Sequence, residues 1–131
     1  MQQIMYLLIF LSCVGLIMLL LSIPLYAWNR KKYYTILKKY NNSKLDTPAI
    51  YLFYSNLGFF GAYLTFRFFI NLNDDRKILY LSTNSNAYLF FKKNAFSIQW
   101  MRYFCFIWKT GTLLMFIPGL IILALDNYIN I

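Results

Sequence analysis

Residues 4–28 read I-M-Y-L-L-I-F-L-S-C-V-G-L-I-M-L-L-L-S-I-P-L-Y-A-W, twenty-five positions without a charge. As a helix rising about 1.5 Å per residue the run reaches roughly 37 Å, against a hydrocarbon core of about 30 Å. Tyr26 and Trp28 close it, and such amphipathic rings favour the membrane interface. Arg30, Lys31 and Lys32 follow at once and stop the span. Pro24 falls in the last turn, where a kink is cheap. The run is therefore read as a first transmembrane helix over 4–28. Met1-Gln2-Gln3 carries no basic residue and no A-x-A pattern follows, so an uncleaved anchor is expected rather than a signal peptide.

A second apolar run occupies residues 103–125, the expected second transmembrane helix. Its uncharged part, 110–125, spans roughly 24 Å, which is short. Lys109 stands one or two turns inside it, flanked by Trp100, Tyr103, Phe104 and Trp108. The structural reading of Lys109 is a snorkelling side chain whose ammonium reaches the headgroups. The functional reading is an intramembrane contact to a partner. No acidic residue lies in either run to pair with it. Pro118 should kink this helix, and Gly111 and Gly119 permit close helix approach without forming a GxxxG motif.

The composition agrees with lipid as solvent. Of 131 residues, 60% are hydrophobic and only 13% charged, against roughly 45–50% and about 25% in soluble domains. There are 13 Lys and Arg against 4 Asp, with no Glu and no His, for a net charge of +9. A soluble chain this basic would point to nucleic acid. Here the placement of the charge excludes that partner. All but one of the cations lie within 29–102, between the two apolar runs. The positive-inside rule then puts both termini outside and the middle in the cytoplasm. Cys13 and Cys105 both fall in apolar runs and make neither a disulfide framework nor a metal motif.

The middle segment, 29–102, is expected to be a mostly helical, amphipathic, interfacial region, completing an all-α membrane protein. Tyr33, Ile36, Leu37 and Tyr40 fall at i, i+3, i+4 and i+7, a helical stripe flanked by Lys31, Lys32, Lys38 and Lys39. This basic continuation of the first helix should lie along or just below the inner leaflet, each cation near anionic lipid contributing about 1 kcal/mol. The candidate anionic-lipid contacts are Arg30, Lys31, Lys32, Lys38, Lys39, Lys92, Lys93 and Arg102, and Lys109 is the candidate partner contact within the membrane.

Thr47 and Pro48 look like an N-cap and first helical position. They open an uncharged run over 49–66 rich in aromatic residues. An interfacial or re-entrant helix is expected there. A third span is the rival, and it would export most of the following cations against the charge rule. Asn71-Leu72-Asn73-Asp74-Asp75-Arg76-Lys77 reads as a turn and then a short helix, with Asp74 as its cap and Arg76 and Lys77 as local ion-pair partners. Residues 82–86, S-T-N-S-N, read as a loop.

No catalytic or cofactor chemistry is legible. Without His there is no imidazole base or ligand. The glycines do not form a phosphate-binding loop, and the serines have no base beyond lysine. No enzyme, no cofactor and no metal are expected.

The element Tyr26-Ala27-Trp28-Asn29-Arg30-Lys31 closing the first span, Gly58-Phe59-Phe60 and Arg76-Lys77-Ile78-Leu79-Tyr80 in the middle, and Arg102-Tyr103-Phe104 before the second span resemble the small two-span bacterial inner-membrane proteins of the universal stress protein B type. The middle here is more aromatic than that group's. The resemblance implies a stress-associated inner-membrane protein with no established chemistry, and transfers no functional residues. Three functions fit the architecture. The first is a non-enzymatic membrane protein working through lipid or protein contacts, self-contacts included. The second is an accessory subunit of a larger respiratory or organellar membrane complex. The third is a pore-forming, holin-like protein, for which neither span offers a polar stripe apart from Lys109.

Overall fold

The computed structural model describes residues 2–129. It is all-helical: α1 (Gln2–Asn42), α2 (Ala49–Asn56), α3 (Phe59–Asn73), a 3-10 turn (Asn86–Leu89), α4 (Phe90–Lys93) and α5 (Gln99–Ile129). Among the described residues α1 and α5 alone are long and apolar enough to cross a membrane. In their most apolar windows only 6% and 11% of the residues are buried. The core helix of a soluble protein would bury most of such a window.

The chain divides into two compact units. One comprises Met1–Pro24 and Phe106–Ile131, the other Leu25–Cys105. In the first, the two apolar helices meet at glycine. A Cβ added to Gly15 would fall 2.6 Å from the Met115 nitrogen and 2.7 Å from the Gly111 oxygen. One added to Gly111 would fall 3.0 Å from the Gly15 oxygen. The close approach expected of Gly111 is therefore present. Gly119, named beside it, faces open space. The helix persists through Pro118 as it does through Pro24.

The second unit has a core built largely of rings. Tyr26, Tyr33, Ile36 and Tyr40 of α1 are buried against Phe66, Phe68, Phe69 and Leu72 of α3 and Trp100, Met101 and Phe104 of α5. The Phe66 ring is the hub. Its centroid lies 5.0 Å from those of Tyr33, Trp100 and Phe104, each in an edge-on arrangement. Tyr40 makes edge-on contacts of 5.7, 5.6 and 5.1 Å with Phe68, Phe69 and Phe90. Such pairs add about 0.5–1.5 kcal/mol each beyond their buried area, because ring edges and faces carry opposite partial charge.

This core corrects several expectations. The stripe of Tyr33, Ile36 and Tyr40 does not lie on a leaflet: it is covered by protein. Helical periodicity identifies an apolar face but not what covers it. The helix itself continues through Asn29-Arg30-Lys31-Lys32 to Asn42, the basic continuation expected of it, because Arg and Lys are good helix formers. The run 49–66 is not one helix. Gly58, at φ +58°, breaks it into α2 and α3, a conformation glycine adopts without steric penalty. The two helices then fold back so closely that a Cβ on Gly61 would overlap the Tyr54 carbonyl oxygen. No single helix long and apolar enough to cross a membrane therefore covers 49–66.

Two caps also differ. Thr47 does not cap α2; its hydroxyl donates to the Leu45 carbonyl at 3.3 Å, and Pro48 occupies the N-cap. Asp74 stands at the C-terminal end of α3 rather than at the head of a following helix, and residues 74–85 form turns and loop.

Candidate lipid- and partner-facing surface

The cationic surface follows from the helical period of α1. With Tyr26, Asn29, Tyr33, Ile36 and Tyr40 turned inward, Arg30, Lys31, Lys32, Lys38 and Lys39 are left outside. The Arg30 guanidinium lies 5.5 Å from the Tyr34 ring centroid and the Lys39 ammonium 5.3 Å from that of Phe96.

Opposite Lys31, Lys32, Thr35 and Ile36 runs the non-helical segment Ala95, Phe96 and Ser97. Between them lies an open concavity of about 390 Å³. A second, of about 370 Å³, is lined by Thr35, Lys38, Lys39, Asn42 and Ser43 and shares Thr35 with the first. The Thr35 hydroxyl donates to the Lys31 carbonyl at 2.9 Å and that of Ser43 to the Lys39 carbonyl at 2.8 Å. These bonds hold the small polar side chains against the helix and leave the ammonium groups as the free donors.

The carboxylates are committed elsewhere. Asp74 accepts from Arg102 Nη1 at 3.0 Å through one oxygen and from Arg102 Nη2 through the other. This two-pronged pair joins the end of α3 to the start of α5. Arg102 lowers the Asp74 carboxyl below its ordinary range, and Asp74 in turn raises the guanidinium. Arg76 stands 3.8 Å from the same carboxylate, the local pair the sequence led us to expect. Asp75 binds Lys92 at 2.8 Å. Asp46 accepts from the Ser85 hydroxyl at 3.1 Å, tying the α1–α2 loop to the loop before the 3-10 turn.

The candidate lipid contacts thus separate. Arg102 and Lys92 have carboxylate partners. Lys31, Lys32, Lys38, Lys39 and Lys93 have none among the described residues. Lys109 is exposed on α5, likewise with no carboxylate partner. The structure groups the α1 lysines with Ile36 of the helical stripe and with Ala95, Phe96 and Ser97, three residues that the sequence did not single out. No local pattern announces that a segment some sixty positions downstream will form the facing wall.

An apolar surface accompanies the basic one. No residue of α2 is buried. Phe53 and Leu57 are exposed, and Phe60 at the start of α3 is 82% exposed. The turn between these helices packs on α1: the Tyr26 hydroxyl lies 4.0 Å from the position of a Cβ on Gly58, and the Tyr26 and Phe59 rings are 5.4 Å apart. Two residues on from Tyr26, Trp28 is 86% exposed.

Among the described residues no three His, Cys, Asp or Glu side chains cluster as metal ligands. Comparisons of the chain with protein-family models, curated protein sequences and solved structures find no match.

Proposed function

We propose that this chain is an integral membrane protein without catalytic chemistry, acting through contacts with lipid and with other proteins. It resides in a bacterial inner membrane, with both termini outside and the aromatic-core unit in the cytoplasm. The observation that carries this reading is the exposure of α1 and α5 across their most apolar windows. Contiguous apolar surface of that extent is untenable in water and ordinary in lipid. The concentration of cations within 29–102 supports the orientation. The α2–α3 turn supports an interfacial position for the hairpin, because it rests on Tyr26 beside exposed Trp28, and Phe53, Leu57 and Phe60 offer rings and aliphatic carbon there. The resemblance to universal stress protein B-type proteins supports an association with stress.

The test is labelling of single cysteines at Thr35, Ser85 and Asn127 in a Cys13→Ser, Cys105→Ser background, with an impermeant thiol reagent on intact cells. Labelling at 127 alone is the expected result. Labelling at 85 without 127 inverts the orientation. Release of the protein by alkaline carbonate removes the membrane reading altogether.

A second reading, an accessory subunit of a larger membrane complex, is favoured by Lys109, an exposed cation on the apolar part of α5 with no carboxylate partner among the described residues. A buried acidic group on a neighbouring subunit would satisfy it. Co-purification with a multi-subunit assembly that Lys109→Ala abolishes would establish this reading. An assembly indifferent to Lys109→Ala would remove it.

A further inference from the structure

From the concavity between Lys31, Lys32, Thr35 and Ile36 on α1 and Phe96 and Ser97 opposite, we infer that the protein holds one anionic phospholipid headgroup there, the two ammonium groups binding its phosphate. The inference rests on the membrane reading and adds to it a single localised site in place of a diffuse basic surface.

Three observations converge. The first is charge: among the described residues Lys31 and Lys32 have no carboxylate partner, and every Asp for which a contact is described lies against another residue. A phosphate diester carries the complementary charge, and ammonium groups bind it as point charges from any direction.

The second is depth. Trp28 is the exposed interfacial ring on this part of α1. At about 1.5 Å per residue, Lys31 and Lys32 lie roughly 5–6 Å beyond it along the helix, whereas Lys38 and Lys39 lie roughly 15–17 Å beyond it. The headgroup layer is only about 5–8 Å thick on each side. Lys31 and Lys32 therefore fall at phosphate depth. Lys38 and Lys39 do not, and the Lys39 ammonium already stands over the Phe96 ring.

The third is the lining. Phe96 gives the cleft apolar carbon beside the cations, over the buried Ile36, and Ser97 gives it a hydroxyl. That mixture suits the junction of a headgroup with its glycerol and acyl carbon better than it suits a small hydrated anion.

The experiment uses the full chain in mild detergent with equal amounts of phosphatidylglycerol and phosphatidylcholine of the same acyl chains, adducts being counted by native mass spectrometry. One retained phosphatidylglycerol, in preference to phosphatidylcholine, is expected. The Lys31→Gln/Lys32→Gln variant should lower its affinity roughly tenfold or more, two cations being removed. Lys31→Arg/Lys32→Arg should restore it, and Lys38→Gln/Lys39→Gln should leave it within about twofold. Equal losses in the two Gln pairs, or equal retention of the two lipids, would overturn the proposal. Displacement of the lipid by millimolar inorganic phosphate would assign the site to free anions and overturn the lipid. A protein that resists carbonate extraction yet shows no lipid preference fails this inference alone; one that is extracted fails the membrane reading beneath it.

Discussion

Gly15 and Gly111 face each other with no side chain between them, so the two apolar helices touch backbone to backbone at that level. A Cβ on Gly15 would meet main-chain atoms of Met115, Gly111 and Leu114, none of which can rotate away. Gly15→Leu should therefore separate the pair and destabilise it by about 1–3 kcal/mol, the usual range for overpacking. Gly119→Leu should be neutral, since nothing lies within 4 Å of that position. Unfolding by SDS titration, followed by circular dichroism, distinguishes the two.

The Phe66 ring touches Tyr33, Trp100 and Phe104, so its removal opens the middle of the second unit's core. Phe66→Ala should cost about 3–5 kcal/mol, as large aromatic deletions in packed cores do. Phe60→Ala, at a position 82% exposed, should change stability by less than about 0.5 kcal/mol. Urea unfolding monitored by tryptophan fluorescence checks both. An equal loss in the two variants would mean that Phe60 is covered by something within the fold.

Asp74 and Arg102 join α3 to α5, and that link depends on pH. Arg102 depresses the Asp74 carboxyl from its ordinary value of 3.8. A depressed acid contributes stability that is complete above the unfolded value and is lost as the pH falls through the folded one. The wild type should therefore lose stability below about pH 4 by a step that Asp74→Asn lacks. At neutral pH a double-mutant cycle with Arg102→Gln should return a coupling near the upper end of exposed pairs, about 1 kcal/mol. Zero coupling would make the pair incidental.

Burial pushes the Tyr33 phenol from 10.0 up to about 12. The Thr65 side chain nearby offsets part of that rise, yet the buried Tyr33 hydroxyl makes no hydrogen bond of ordinary geometry among the described residues. An acid whose folded value is raised contributes stability that is whole below the unfolded value and is lost as the pH climbs through the folded one. Tyr33→Phe should thus be neutral to stabilising by up to about 1 kcal/mol at pH 7. It should also keep helical ellipticity to higher pH between 10 and 12. A clear destabilisation at pH 7 would show that the hydroxyl has a partner after all.

What the sequence disclosed and what it concealed divide along physical lines. Charge-free length identifies α1 and α5, because the solvent acts on each helix separately. Helical period identifies the Tyr33, Ile36 and Tyr40 face for the same local reason. The covering of that face was not legible: an aromatic stripe serves lipid and protein alike, and Phe66 and Phe104, which cover it, lie far along the chain. The reversal at Gly58 was equally hidden. Gly58 and Gly61 stand in an uncharged run that satisfies every rule for one helix, and only the Tyr54 carbonyl lying against Gly61 makes the second glycine obligatory. Asp74 shows the limit most plainly. Its neighbours Arg76 and Lys77 claimed it on proximity, while the closest guanidinium belongs to Arg102, 28 residues on.

The ring cluster of the second unit also sets an order of events in time. Tyr26 and Phe104 are 6.3 Å apart in the folded unit, yet they come from its opposite ends. A ribosome delivers Tyr26, Tyr33 and Tyr40 early and Phe104 almost last. Until α5 emerges, the aromatic face of α1 lacks part of its cover and is exposed to chaperones, proteases and other nascent chains. Closure of this core is therefore a late, long-range event, slow by topology rather than by want of stability.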